Sequence, residues 1–599
     1  MQSPCIREAS QACFHGCCPA PFLSLPDPHK TTPKPTTSAA TPQSNFAAAT
    51  ASSLHPNTQF TNHESLPSLP ESFSNFNKSY PQYSQTDQAD HIRAREYYHL
   101  SLSRHVCLDY IGHGLFSYSQ QQSHLTDLPT APIASTSSSP PPPIPLHPNN
   151  APNLPFFDIL YKSVNLNSQI QYGGQESEFE SKIKKRIMNF MNISEEDYSM
   201  VFTANQSSAF KLLADSYPFQ TNRNLITVYD YENETVESMI ESSKKRGARV
   251  TSAEFSWPNL RIQSTKLRKM VVSKRKRGLF VFPLQSRMTG ARYSYLWMSL
   301  AQENGWHVLL DACALGAKDM ETLGLSLFRP DFLVCSFFKV FGDNPSGFGC
   351  LFVRKSSASV FDHSTIATSL GVVSLVPPRT PSEESSITDQ SRIKVSEIVE
   401  LDQSTIGESS EIKFRGLDHA DSLGLILISS RARYLVNWLV NALMSLRHPH
   451  SENGLPLVRI YGPKIKFDRG PSVAFNVFDW KGEKIDPTLV QKLADRNNIS
   501  LSCGFLHRIW FSDRYEEERE RILETRSSTT EEEGTVGIIS KKRENLNSGI
   551  SVVTASQGFL TNFDDMYSLW AFVSRFLDAD FVEKERWRYK ALNQTTVEV

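Results

Sequence analysis

The stretch "NGWHVLLDACALGAKDMETLGLSLFRPDFLVCSFFKVFGDNPSGFGCLFVRK", residues 304–355, decides the fold. It contains three short apolar runs: "WHVLLD" (306–311), "DFLVCSFF" (331–338) and "GFGCLFVRK" (347–355). Each is nearly continuous in Val, Leu, Phe and Cys rather than alternating with polar residues. A strand of that kind is buried on both faces, as in a sheet covered by helices above and below. In such sheets, ligands sit at the carboxyl ends of the strands. The residues that end these runs are therefore the ones with access to a ligand. Asp311 ends the first run, and Lys339 directly follows the second, 28 positions later.

The same texture extends upstream. "YSMVFTANQSSAFKLLADSY" (198–217) reads as strand, turn and helix. "NLITVYDY" (224–231), a helix over Val236 to Lys245, "ARVTSAEF" (248–255) and "RGLFVFPLQS" (277–286) continue the alternation. Phe179, Ile183, Ile187, Phe190 and Met191 recur at spacings of three and four, one face of an amphipathic helix. Strands alternating with helices mean βαβ units and a mostly parallel sheet. Downstream, a helix over Ser422 to Leu446, strands at "PSVAFNVFDW" and "GISVVTAS", and helices at "DPTLVQKLADRNN" and Asn562 to Leu577 predict a smaller C-terminal α+β domain. The fold class expected is α/β: a large domain with a mostly parallel sheet flanked by helices, plus this smaller domain.

Composition sets the boundaries. Residues 1–65 are low-complexity and read as a disordered tail, and 66–121 as the N-terminal segment of the fold. "STSSSPPPPIPLHPNN" marks a Ser/Pro-rich linker over 122–153, since polyproline joins neither a helix nor a sheet interior. The large domain covers 154–370, a Ser- and Glu-rich insertion 371–412, and the small domain 413–599 with a charged insertion at 513–547.

Across 599 residues, 62 Lys and Arg face 63 Asp and Glu, so no overall field calls for nucleic acid or an anionic membrane. The basic run "KLRKMVVSKRKRG" (266–278) lacks interleaved aromatics and reads as a solvated helix end leading into a strand. The best membrane candidate, Leu423 to Leu446, is interrupted by Arg431, Arg433, Asn437 and Asn441. Of nine Cys, Cys5, Cys13, Cys17 and Cys18 crowd the N-terminus and the other five are scattered singly, which suits reduced thiols, and the first residues lack the apolar core of a secretory signal. The expectations are no nucleic acid, no membrane and a cytoplasmic location. The Ser-, Thr-, Ala- and Pro-rich, acid-poor start leaves a plastid transit peptide as the alternative.

Lys339 stands among Phe337, Phe338, Val340 and Phe341. Desolvation lowers an amine's pKa and makes it a nucleophile. A sheltered lysine near an acid is what pyridoxal phosphate chemistry needs: the lysine bonds the aldehyde and the carboxylate keeps the pyridine nitrogen protonated. Taken separately, a strand-terminal Asp is ordinarily a cap or turn residue, and a lysine in an apolar run ordinarily snorkels. In "FTANQSSAF", Thr203, Ser207 and Ser208 at a helix start could hold a phosphate, although hydroxyls at N-caps are commonplace.

These segments, in this order, resemble the fold-type-I pyridoxal phosphate enzymes of aminotransferase class V. Within that class the chain is most similar to the cysteine-desulfurase half of plant and animal molybdenum cofactor sulfurases, on the side of the plant type. The resemblance is carried by "VCLDYIGHGLFS", "YGGQESEFESKIKKRIMNFM", "VFTANQSSAFKLLADSYPF", "FPLQSRMTGARYSY", "VLLDACALGA", "CSFFKVFGDNPSGFGCLFVR", "GPSVAFNVFDWKG" and "GFLTNFDDMYSLWAFVSRFL". It implies pyridoxal 5'-phosphate as cofactor and an amino acid as substrate, with L-cysteine the first candidate. It also implies a homodimer.

By position, the resemblance makes Lys339 the Schiff-base lysine and Asp311 the pyridinium partner. It makes Ser336 and Ser207 phosphate contacts, aided by the Gln206 N–H, and places Gly347 and Gly349 in the turn after the lysine. The chain also departs from the pattern. Asn233 falls where a histidine stacks on the cofactor ring, Arg287 where an asparagine meets the phenolic oxygen, and Phe338 where a histidine precedes the lysine. Cys503 lies in the loop "NISLSCGFLHRIWF", ahead of the glycine that the catalytic cysteine should follow. Thr554 aligns with the arginine that grips a substrate carboxylate. Three readings stay open: sulfur transfer through a Cys503 persulfide, another class V reaction on an amino acid, and a cofactor-binding or regulatory protein without desulfurase activity.

Overall fold

The computed structural model describes residues 59–109, 113–126, 157–174, 176–273, 277–313, 328–338, 347–363, 369–377, 413–449, 455–463, 469–525 and 548–593. Phe60, placed in the tail by composition, is buried against the ring of Trp570, 5.4 Å away and edge-on. Helix α1 (Leu69–Ser79) follows Ser68 with Pro70 in its first turn, where a missing N–H costs nothing. Its Phe76 is fully buried and lies within 4.8 Å of Tyr83 and 4.7 Å of Phe563. Helix α2 (Gln88–Glu96) contributes Arg93, bonded to Asp565, and Asp90, bonded to the buried Arg431. Arg431 also donates to the Thr86 carbonyl at 3.1 Å and the Thr561 carbonyl at 3.0 Å. Breaking a buried pair such as Arg93–Asp565 by removing one partner costs about 3–5 kcal/mol. The N-terminal segment is thus clamped to the C-terminal domain.

The large sheet is built from nine strands in chain order: β1 (Asp158–Val164), β2 (Tyr198–Thr203), β3 (Asn224–Thr227), β4 (Arg249–Ser252), β5 (Gly278–Phe282), β6 (His307–Asp311), β7 (Phe332–Phe338), β8 (Phe348–Arg354) and β9 (Ser369–Val376). Across the sheet they run β1-β9-β2-β8-β7-β6-β5-β3-β4, and the pair His113–Gly114 joins the end of β7. Neighbours from β7 to β4 are parallel; β8 is antiparallel to both β7 and β2. The crossovers include α3 (Glu178–Phe190), α4 (Gln206–Ser216), α5 (Glu234–Lys245), α6 (Ser264–Val272) and α7 (Leu296–Glu303). β5 and β8 are buried along nearly their whole length, which is why they read as unbroken apolar runs.

In the small domain, α8 (Arg415–Met444) starts seven residues before the expected Ser422 and is kinked at Gly424, whose φ of 75° suits glycine. Strands β10 (Val458–Tyr461), β11 (Ser472–Val477), β12 (Ser502–Leu506) and β13 (Ser548–Ser556) form an antiparallel sheet in the order β10-β11-β13-β12. Helices α9 (Pro487–Asp495) and α10 (Phe563–Ser574) pack on its core side; Asn562 and Asp565 close a capping box at the start of α10. Of the charged insertion, residues 513–525 form a short helix and a strand on β13, and 526–547 lie outside the described residues, as do 122–153 save 122–126 and most of 371–412. Among the described residues, no helix is long and apolar enough to cross a membrane.

Candidate functional site

β6 ends alongside the first half of β7, with Asp311 opposite Val334, and β7 runs on to Phe338. Asp311 is 2% exposed. Its Oδ2 accepts the Tyr229 hydroxyl at 3.0 Å, and its Oδ1 accepts the Cys313 N–H at 3.0 Å. Burial pushes its carboxyl pKa up; the Cys313 N–H, the Tyr229 hydroxyl and the positive field of Arg287 pull the other way. Each oxygen keeps a further lone pair, so the carboxylate can accept one more N–H.

Ser336 stands two residues beyond Val334, opposite Gly349 of β8. A Cβ on Gly349 would sit 2.6 Å from the Asn205 carbonyl oxygen and the Thr203 hydroxyl, so only glycine lets β8 run beneath the start of α4. β7 ends at Phe338; Lys339 and residues through 346 lie outside the described residues.

Asn205 caps α4, accepting the Ser208 N–H at 2.8 Å and its hydroxyl at 3.0 Å. That leaves the N–H groups of Gln206 and Ser207 pointing out of the first turn. The Ser207 hydroxyl lies 2.9 Å from that of Thr235, in the first turn of α5. Two helix starts, each with a positive dipole end, therefore meet at a pair of hydroxyls, an arrangement suited to a phosphate. Asn233 caps α5 by accepting the Thr235 N–H at 3.0 Å, and its amide lies beside the Tyr231 hydroxyl. Its side chain thus orders the helix start rather than presenting a flat ring.

Arg287 is exposed on the loop after β5. That loop is pinned by Asp230, which accepts the Ser286 and Thr289 hydroxyls, each at 2.7 Å. The next residue, Met288, leans on the small domain: Thr554 donates to its sulfur at 3.2 Å, and a Cβ on Gly504 would meet its terminal carbon at 2.5 Å. Thr554 is 1% exposed, so the aligned arginine position is packed shut.

Cys503 lies within β12 rather than on a loop. Its neighbours Ser502 and Gly504 share a face with Thr554, so Cys503 points to the other face with Val553. There it packs against the small-domain core, and its thiol meets the Pro487 carbonyl at 3.4 Å. Burial, then Asp486 and Asp495, push its pKa up to about 11. The structure therefore gathers Ser207, Gln206 and Asn233 at one helix junction and sets Asp311 and Ser336 on adjacent strands, while Cys503 faces the small-domain core. Tyr229 and Thr235 were not singled out in the sequence. The polar end of the run "ITVYDY" was the available signal for Tyr229; nothing local marks Thr235.

Among the described residues, no group of three or more His, Cys, Asp or Glu side chains is placed to hold a metal. The strands and helices make an α/β fold whose sheet is mostly parallel, with β8 and β9 running against the other strands. In sequence the chain is similar to molybdenum cofactor sulfurases. It is 27% identical to the human protein over 69% of this chain and 43% of that one. It is 26% identical to the Arabidopsis thaliana protein over 57% and 44%. The chain thus spans less than half the length of these relatives. No protein-family model matches it. Among solved structures, an apo cysteine desulfurase from Thermococcus onnurineus aligns with a TM-score of 0.42 and 16% identity, over 67% of this chain and 83% of that one. The cysteine desulfurase CsdA from Escherichia coli aligns with a TM-score of 0.41 and 14% identity, over 67% and 87%.

Proposed function

We propose that the chain binds pyridoxal 5'-phosphate and acts on an amino acid, in line with its similarity in sequence to molybdenum cofactor sulfurases. The observation that carries this reading is the buried Asp311 carboxylate at the end of β6, opposite Val334 on the neighbouring strand β7, which runs on to Phe338 just before Lys339. The residues fit the group. Asp311 has acceptor capacity left for a pyridinium N–H, and that cation would offset the cost of burying the carboxylate. The Gln206 and Ser207 N–H groups with the Ser207 and Thr235 hydroxyls offer donors to a phosphate, and Ser336 adds another hydroxyl on the neighbouring strand. When bound, the cofactor supplies an electron sink for carbanion chemistry at the amino acid's α-carbon.

The protein's own parts are then distinct. With the cofactor bound, the Lys339 amine would hold it and would carry a proton to or from the substrate carbon. Asp311 would keep the ring nitrogen protonated, and Tyr229 holds Asp311 in place. One observation favours the second reading, a cofactor-binding protein without desulfurase activity. The Cys503 thiol is turned to the far face of β12 with its pKa raised, so a persulfide route through it would require that strand to rearrange.

The test is purified protein with added cofactor. A band near ~420 nm is expected from the lysine-bound cofactor, absent in Lys339→Ala. A colourless protein that ignores added cofactor overturns the cofactor reading. Sulfide and alanine release from L-cysteine separates the rest: turnover that disappears in Cys503→Ser overturns the second reading.

A further inference from the structure

The loop after β5 is folded into a tight turn. The Gly290 N–H donates to the Ser286 carbonyl at 3.1 Å, and the Ser286 N–H to the Ala291 carbonyl at 2.8 Å. Gly290 has a φ of 68°, and a Cβ there would sit 2.3 Å from the Ser472 carbonyl oxygen, so only glycine lets the turn close on the small domain. Ser286 and Thr289 are buried and bonded to Asp230, and Met288 is half-buried against Thr554. Of the turn 286–290, Arg287 alone is exposed. Its backbone is therefore fixed while its guanidinium is open to a ligand.

The turn leaves the ligand end of the sheet. β5 lies between β3 and β6, and Tyr229, just past β3, reaches Asp311 across the end of β5. The positive field of Arg287 is felt at the Asp311 carboxyl and at the Tyr231 hydroxyl, where it opposes the effect of burial. Among the described residues, Arg287 has no ion-pair partner. An amino acid brought to this site carries a carboxylate towards the buried acids Asp311 and Asp230, so a cation is needed to receive it. The resemblance puts that cation at residue 554, but Thr554 is neutral, shut in, and covered by Met288, the neighbour of Arg287 in the chain.

We propose that Arg287 binds the α-carboxylate of the substrate, the cation having moved from β13 to the turn that covers it. The planar fork of a guanidinium offers two parallel N–H groups to a carboxylate. The substrate class is then amino acids with a free α-carboxylate, rather than their amides or simple amines. This inference rests on the reading that the Asp311 site holds the cofactor and an amino acid.

The test compares L-alanine with L-alaninamide, in which a neutral amide replaces the carboxylate. Cofactor is loaded first and its band near ~420 nm recorded. Each probe is then titrated, and the change in that band gives an equilibrium affinity. The wild type is expected to favour L-alanine at least about tenfold, less so at high salt. Arg287→Gln should load cofactor, lose that preference, and bind L-alaninamide within about threefold of wild type. Arg287→Lys keeps the charge without the fork and should recover part of the preference. Circular dichroism confirms folding, and Arg287→Met serves should Arg287→Gln misfold. A wild type that loads no cofactor overturns the cofactor reading and this inference together. Three results overturn the inference alone: a loaded wild type that does not distinguish the probes, a loaded Arg287→Gln that keeps the preference, and a folded Arg287→Gln that no longer loads cofactor.

Discussion

Asp311→Asn should stabilise the cofactor-free protein and weaken its hold on cofactor. The substitution keeps the shape of the side chain. The Cys313 N–H retains a carbonyl acceptor, and the Tyr229 hydroxyl, which can donate or accept, takes the new amide N–H. What disappears is a buried negative charge. Burial raises the Asp311 pKa, so the folded state binds its proton more readily than the unfolded chain does. Stability contributed at this site is therefore lost as pH climbs from about 4 through the folded pKa. The asparagine carries no such dependence. Without cofactor, the two proteins should coincide below pH ~4, and the variant should gain as pH rises, by about 1.4 kcal/mol for each unit of displacement. With cofactor the order reverses. A pyridinium N–H that meets an amide loses a charge-assisted hydrogen bond of about 1.5–3 kcal/mol, or roughly 10- to 150-fold in affinity. Thermal melts across pH, with and without cofactor, and an absorbance titration measure both. An Asn variant that melts below wild type at pH 7 without cofactor contradicts the burial argument, and one that titrates with wild-type affinity removes Asp311 from the cofactor's reach.

Other outcomes follow from single contacts. Cys503, with its pKa pushed up to about 11, should react with iodoacetamide at pH 8 roughly a hundredfold more slowly than an exposed thiol; rapid labelling mapped to Cys503 would mean that β12 opens. Thr235→Val removes one hydroxyl of the Ser207 pair and should weaken cofactor affinity by about 2- to 10-fold, with inorganic phosphate competing less well; unchanged values would place the phosphate elsewhere.

The site is legible in the chain only where its residues announce themselves by position along an apolar run. Asp311 stands out because it ends an apolar run, and strand ends open onto ligands in parallel sheets. Ser207 stands out as a hydroxyl at a helix start beside exposed N–H groups, whereas Ser336 and Gln206 come only from the family resemblance. The family resemblance places Cys503 in a loop. Pairing with β13 made it a strand, and the two-residue period then decided which way the thiol points. The helix expected from Ser422 begins seven residues earlier, at Arg415, and runs through Gly424 with a kink.

Local pattern alone settled that this chain makes a covered, mostly parallel sheet, since continuous apolar runs separated by helices have few other ways to hide from water. It also settled which residues end those runs. Tertiary structure decided what lies beside them: that Tyr229 reaches Asp311 across 82 residues of chain and that Thr235 meets Ser207. It also closed Thr554 beneath Met288. Such pairings depend on strand order and helix placement, which no short window of sequence encodes, because they arise from the whole core closing at once.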